Sequence, residues 1–278
     1  MAEAGGRVVG KVTVDLAYRP YSEVVNLLVH PSLRGRGVGG ALLDAALRLA
    51  EGEGFWAQLV MTDPRNEPAA RLYRSRGFLP AISPAGGTEG YCWLIRFSRA
   101  SPPGVFQSLR PGSGFRWRGR LEGGSLYGIS WEHPSGDRLD LVLRGQPGQP
   151  EWGTMPRVAG CSVRLGGAGL GCRVREVQRR LRGGPGEFTL ELWNYGSDRA
   201  VVTLSPLEVD GLRVELDSPG RLDLAPGREV RVTGRLSLEP SFSIPPLSFD
   251  TVVGTVAVSA SSLPPGLFLW ASAGFERG

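Results

Sequence analysis

The stretch NLLVHPSLRGRGVGGALL, residues 26–43, leaves this chain few ways to fold. An apolar run ends at Val29, and a basic turn with glycines at positions 35, 37, 39 and 40 follows. Leu42, Leu43, Ala46, Leu47 and Ala50 then fall on one helical stripe, with Asp44, Arg48 and Glu51 opposite. The run before the turn is too short for a helix and reads as a strand. A strand that enters a helix through glycines aims free backbone N–H groups and the positive helix end at one spot. Such a spot suits a phosphate.

Strand and helix signals alternate through the first hundred residues. RVVGKVTVDL (7–16) is β-branched and roughly alternating, and EVVNLLV (23–29) reads as a strand buried on both faces. Gly52 and Gly54 stop the first helix, and FWAQLVM (55–61) is the next strand. Asn66 is placed to cap a second helix that tolerates Pro68 in its first turn and ends at Gly77. That helix exits to a strand and YCWLIRF (91–97) is a further one, so the expected order is β-β-α-β-α-β-β.

SRASPPG (98–104) reads as a linker, and beyond it the chain consists of short strands and glycine or proline turns. Residues 125–145 suggest a hairpin, as do residues 188–204 with NYGSD as the turn. LRVELD and EVRVTGRLSL continue the alternation, while REVQRRLRG (175–183) fits either a short helix or a polar strand. The expected organisation is an α/β domain over 1–98, a β-rich segment over 99–182 and a β-sandwich over 183–278.

Composition narrows the function classes. Residues 1–98 carry 11 basic and 9 acidic groups, residues 99–182 carry 14 and 6, and residues 183–278 carry 7 and 12. The middle segment has the sign to attract an acidic partner, but its arginines are scattered, with FRWRGR (115–120) the only dense cluster. A solvated basic face is preferred to nucleic-acid binding. Cys92, Cys161 and Cys172 form no C-x-x-C pair, and His30 and His133 are the only histidines, so no metal centre is expected. Cys161 and Cys172 either face each other across a hairpin or are two separate buried thiols. The N-terminus has no apolar core behind a basic start, and no apolar run approaches the ~18 residues of a membrane helix. A cytoplasmic protein is expected.

Two cofactor folds write turns of this kind. Gly35, Gly37 and Gly40 satisfy G-x-G-x-x-G, but HPSLR separates the strand from the first glycine and another strand already precedes it. Both facts count against a dinucleotide-binding unit. Arg34, Gly35, Arg36, Gly37, Val38 and Gly39 fill the pattern Q/R-x-x-G-x-G/A, led by Val29, His30 and Pro31. Asn66, Ala69, Leu72, Tyr73, Gly77 and Phe78 fill N-x-x-A-x-x-L-Y-x-x-x-G-F, starting 27 residues after Gly39. In these two blocks the segment resembles the GNAT superfamily of N-acetyltransferases.

The resemblance implies an acetyl-CoA donor and direct transfer to an amine on a small molecule or protein. It implies that the strand at 23–29 splays from its neighbour, with the backbone near Leu27, Leu28 and Val29 pairing with the pantetheine arm. Arg34, Gly35, Arg36, Gly37, Val38 and Gly39 would then hold the pyrophosphate, and Asn66 would contact the cofactor or serve only as a cap. Tyr73 matches the proton donor to the CoA sulfur, and the N–H near Val29 the oxyanion donor. Glu23 sits where relatives carry a base, and strict alternation puts it on the face of Val25, Leu27 and Val29. His30 is expected to be structural. The family's first strand and helices, which wall the acceptor pocket, have no counterpart in the six residues before Arg7. A displaced start, a wall supplied by the β region, and a domain that binds CoA without catalysing all remain open. Residues 191–238 resemble bacterial immunoglobulin-like modules through Asn194, Gly196 and Ser197 and through Leu224, Pro226 and Gly227. Trp193 and Tyr195 are either a recognition patch or hairpin packing.

Overall fold

The computed structural model describes residues 1–82, 91–98, 116–121, 126–145, 156–177, 180–181, 184–240, 242 and 251–277. These fall into two compact units, residues 1–98 and residues from 116 onward. The expected linker at 98–104 lies outside the described residues apart from Ser98, which is buried and donates its N–H to Trp56 O.

The first unit is one sheet with two helices. Its elements are β1 (Ala2–Ala4), β2 (Arg7–Tyr18), β3 (Tyr21–Val29), a 3-10 turn (Pro31–Leu33), α1 (Val38–Gly52), β4 (Ala57–Thr62), α2 (Glu67–Arg74), β5 (Leu79–Ile82) and β6 (Cys92–Phe97). The sheet order is β1-β2-β3-β4-β6-β5, with β3 and β4 its parallel pair. The residues ahead of Arg7 are structured: β1 folds back on β2 through Gly5 and Gly6, both at positive φ. The stripe expected on α1 is the buried one, and Leu43 and Leu47 pack with Val24, Val60, Tyr73, Phe78, Cys92 and Leu94. These residues place α1 and α2 on one face of the sheet.

The expectation that residues 23–29 are buried on both faces is corrected. Tyr21 to Val24 are buried, but Val25 and Leu28 are 38% and 54% exposed. The cause is a register shift opposite Thr13 and Val14: Asn26 pairs with Thr13 and Val24 with Val14, which leaves Val25 as an extra, bulged residue.

The second unit is all β. Arg116–Leu121 (β7), Leu126–Glu132 (β8), Arg138–Arg144 (β9), Arg157–Leu165 (β10) and Ala168–Glu176 (β11) form an antiparallel meander. It continues into the sheet of Gly186–Asn194 (β13), Glu229–Leu238 (β17) and Leu212–Leu216 (β15). A second sheet holds Arg180–Leu181 (β12), Phe268–Arg277 (β19), Thr251–Ala260 (β18), Ala200–Pro206 (β14) and Arg221–Leu224 (β16). The ambiguous 175–183 segment thus supplies the end of β11 and the short strand β12. The boundary expected at 182/183 falls inside one unit, because β11 pairs with β13 along seven registered positions from Leu170↔Asn194 to Glu176↔Phe188.

The hairpin at 126–144 is present, whereas that at 188–204 is corrected. β13 and β14 lie in different sheets, and the NYGSD segment carries the chain from one to the other. Asn194 holds this arch: its amide donates to Asp198 O at 2.8 Å and Leu224 O at 2.9 Å. Its side-chain oxygen accepts from Gly196 N. Two alternating strands look alike to a sequence whether they face each other or face across a sandwich. Trp193 and Tyr195 are half-buried over the backbone of Gly171 and Gly169. Cys161 and Cys172 are register partners, both buried as free thiols, and burial pushes Cys172 up to about 12. Among the described residues no helix is long and apolar enough to cross a membrane.

Candidate active site

The bulge at Val25 falls where the pairing of β3 with β4 ends and leaves an opening. Parallel pairing of β3 with β4 runs from Tyr21↔Ala57 to Val24↔Val60 and stops there, while β3 continues to Val29 beside β2. His30 N–H donates to Val9 O at 2.8 Å. In an antiparallel ladder the hydrogen-bonded positions alternate, so Leu28 also faces β2, and the peptide groups of Leu27 and Val29 turn to the open side. Val29 O accepts from Arg34 Nε there, at 3.3 Å.

Below the opening lies the glycine turn. Gly35 and Gly37 have φ of 75° and 83°, which other residues rarely adopt, and a Cβ on either would meet open space. Conformation, not crowding, calls for glycine at both. Gly37 caps α1, whose first turn, starting with Val38 and Gly39, has no side-chain cap and no acidic residue. Its leading N–H groups therefore remain available to an anion. Arg34 and Arg36 are exposed beside it. A phosphate chain fits this arrangement: positive groups, open space and unsatisfied donors coincide. Gly10 holds β2 against α1, since a Cβ there would lie 2.8 Å from Leu42 Cδ1 and 3.0 Å from Leu28 O.

The two titratable candidates lie on opposite faces of the sheet. Tyr73 is buried on the helix face, edge-on to Phe78 with ring centroids 5.6 Å apart, and burial raises its phenol. Leu27 packs against the same cluster. Glu23 precedes Val24 and so faces the other way. The expected shared face of Glu23 with Leu27 and Val29 is therefore corrected, because the extra residue at Val25 inverts the alternation. Glu23 is 7% exposed, in register with Leu59 and across from Asp15. Burial, and then the neighbouring Asp15 charge, push its carboxyl up to about 7. A carboxyl so placed exchanges a proton near neutral pH.

Asn66 performs the capping role, its Oδ1 accepting from Ala69 N at 3.3 Å. Asn66→Ala is expected to cost the first unit about 1 kcal/mol in chemical unfolding. His30 is exposed and holds Ser32 Oγ at 2.8 Å, which ties the turn rather than the site. Among the described residues no group of acidic, histidine or cysteine side chains could hold a metal. Sequence reasoning missed Gly10, Asp15 and the bulge. Only Gly10 left a signal, a glycine inside a β-branched run.

Residues 1–78 match the model of the acetyltransferase (GNAT) family. The mycothiol acetyltransferase of Thermomonospora curvata is 36% identical over 78 residues, covering 28% of this chain and 26% of that protein. That of Pseudarthrobacter chlorophenolicus is 38% identical over 81 residues, covering 27% and 25%. The chain thus spans about a quarter of the length of these curated relatives. The solved IAA acetyltransferase from Bacillus cereus is 23% identical, covering 34% of this chain and 74% of that one, with a TM-score of 0.32. The likeness to the acetyltransferase (GNAT) family thus falls within the N-terminal unit.

Proposed function

We infer that the N-terminal unit transfers an acetyl group from acetyl-CoA to an amine. The observation that carries this reading is the parting of β3 from β4 after Val24, with the far end of β3 beside the uncapped N-terminus of α1, where a Cβ on Gly39 would lie 3.6 Å from Val29 Cγ2. The donor supplies a thioester carbonyl and a thiol leaving group. The turn at Arg34–Gly39 holds its pyrophosphate, and the peptide groups of Leu27 and Val29 align its pantetheine arm. Leu28 contributes through its backbone position between them.

Glu23 takes the proton that the attacking amine sheds, directly or through one water. Val29 N–H steadies the negative charge gathering on the carbonyl oxygen. Tyr73, on the opposite face, gives its proton to the departing sulfur. Asn66 borders the cofactor while it caps α2. The curated relatives are named for mycothiol, so mycothiol-related amines are the first acceptors to test. Within the second unit, residues 183–278 read as an immunoglobulin-like module. In support, their strands β15, β17 and β13 lie in one sheet and β19, β18, β14 and β16 in the other. It offers an interaction surface for a protein partner, and a cytoplasmic setting suits the donor.

Calorimetric titration of the whole chain with acetyl-CoA tests the reading. Saturable binding, weakened about tenfold by Arg34→Glu, is expected. Tyr73→Phe is expected to lower turnover about tenfold and leave acetyl-CoA affinity unchanged. Binding without turnover on any amine would make this a CoA-binding domain that does not catalyse, and no binding would remove the donor reading.

A further inference from the structure

Arg76 is held where no motif places a functional residue. Gly40, Asp44 and Arg48 stack at four-residue spacing along one flank of α1. The Arg76 guanidinium lies across that flank: a Cβ on Gly40 would meet its Nη2 at 2.5 Å. Asp44 accepts from Arg76 Nε at 3.1 Å and Nη2 at 3.3 Å, and Ser75 Oγ accepts from Nη1 at 2.8 Å. Arg96 Nε fixes the backbone by donating to Arg76 O at 2.9 Å. A guanidinium has five N–H donors, so two remain after these contacts. The side chain keeps 30% of its surface exposed, which lets an anion reach them.

The charge around this point is unbalanced. Arg48 forms no ion pair among the described residues, while Arg96 pairs with Glu51. Three arginines thus face the two carboxylates of Asp44 and Glu51, and the exposed Arg36 lies in the turn just ahead of the helix. The glycine turn already has donors for a pyrophosphate. A fixed, partly open guanidinium about one helical turn further along α1 calls for a second phosphate on the same ligand.

We propose that Arg76, oriented by Asp44 and assisted by Arg48, binds the 3′-phosphate of the CoA donor. This rests on the donor reading above and narrows it. The domain takes its acyl group from the free nucleotide thioester, because pantetheine carried on a protein has no 3′-phosphate to offer. Asp44 is a positioning residue: it fixes the plane of the guanidinium and turns the remaining N–H groups outward.

The test compares acetyl-CoA with its 3′-dephospho form by calorimetry on the full chain. Wild type is expected to bind acetyl-CoA about tenfold more tightly than the dephospho form. In Arg76→Gln that ratio should fall towards one while dephospho affinity stays the same, and Arg48→Gln should reduce it in part. A structural role alone would weaken both ligands equally, and that result overturns the proposal. So does a wild-type ratio of one, which needs no variant and is immune to misfolding. Failure of wild type to bind either ligand would instead remove the donor reading itself, and this proposal with it.

Discussion

Replacing Glu23 with glutamine is expected to cut turnover by about a hundredfold or more, and yet to make the protein more stable at alkaline pH. The loss follows from removing the general base proposed above, a role whose contribution is typically of that order. The gain follows from linkage. The folded-state carboxyl titrates at about 7, above its ordinary 4.5, because burial and then Asp15 disfavour its charge. Between those values the unfolded chain has already lost the proton that the folded chain retains, so stability falls as pH rises through the window. The full cost, about 3 kcal/mol from the shift, is present above pH 7. Glutamine never ionises, so the variant should match wild type near pH 4 and exceed it at pH 8 in chemical unfolding. In wild type, kcat/KM should climb with pH to a plateau above about 7, and the variant should lack that limb. Parallel pH–stability curves for the two proteins would show that Glu23 is not held uncharged.

Gly10→Val is the second large effect. A Cβ at this position lies 2.8 Å from Leu42 Cδ1 and 3.0 Å from the Leu28 carbonyl oxygen. The leucine can rotate, but the carbonyl belongs to the neighbouring strand and cannot yield without moving β3. Overpacking of this kind is expected to destabilise the first unit by about 3 kcal/mol. Because β3 carries Leu27 and Val29, acetyl-CoA binding should weaken together with stability. Gly10→Ala keeps the backbone clash and removes the branched methyls, so it should show a smaller effect on both. A Gly10→Val protein with wild-type unfolding and binding would mean that α1 is free to move away from β2.

How much of this was legible beforehand depended on distance along the chain. The glycine turn, the stripe on α1, the Asn66 cap and the hairpin at 126–144 are each decided by residues within a few positions of one another. Glu23 and Tyr73 could be selected because each lies in or beside a local pattern. Their separation onto opposite faces could not be read, since one unpaired residue at Val25 inverts the parity of every position after it. The arch at 195–199 escaped for a related reason. Burial periodicity records which side of a strand is covered, and is silent about the strand that covers it.

The sequence by itself determined the local chemistry: a turn that only glycine can make at Gly35 and Gly37, a helix start bare of acids, and the second motif block from Asn66 to Phe78. Tertiary structure alone decided that β3 leaves β4 after Val24, that Asp15 faces Glu23, and that Arg76 lies across Gly40 beside Asp44. Backbone dihedrals and helix caps depend on energies between near neighbours, which residue identity encodes directly. Register and desolvation depend on which distant surfaces meet, and pairing of the whole sheet selects those.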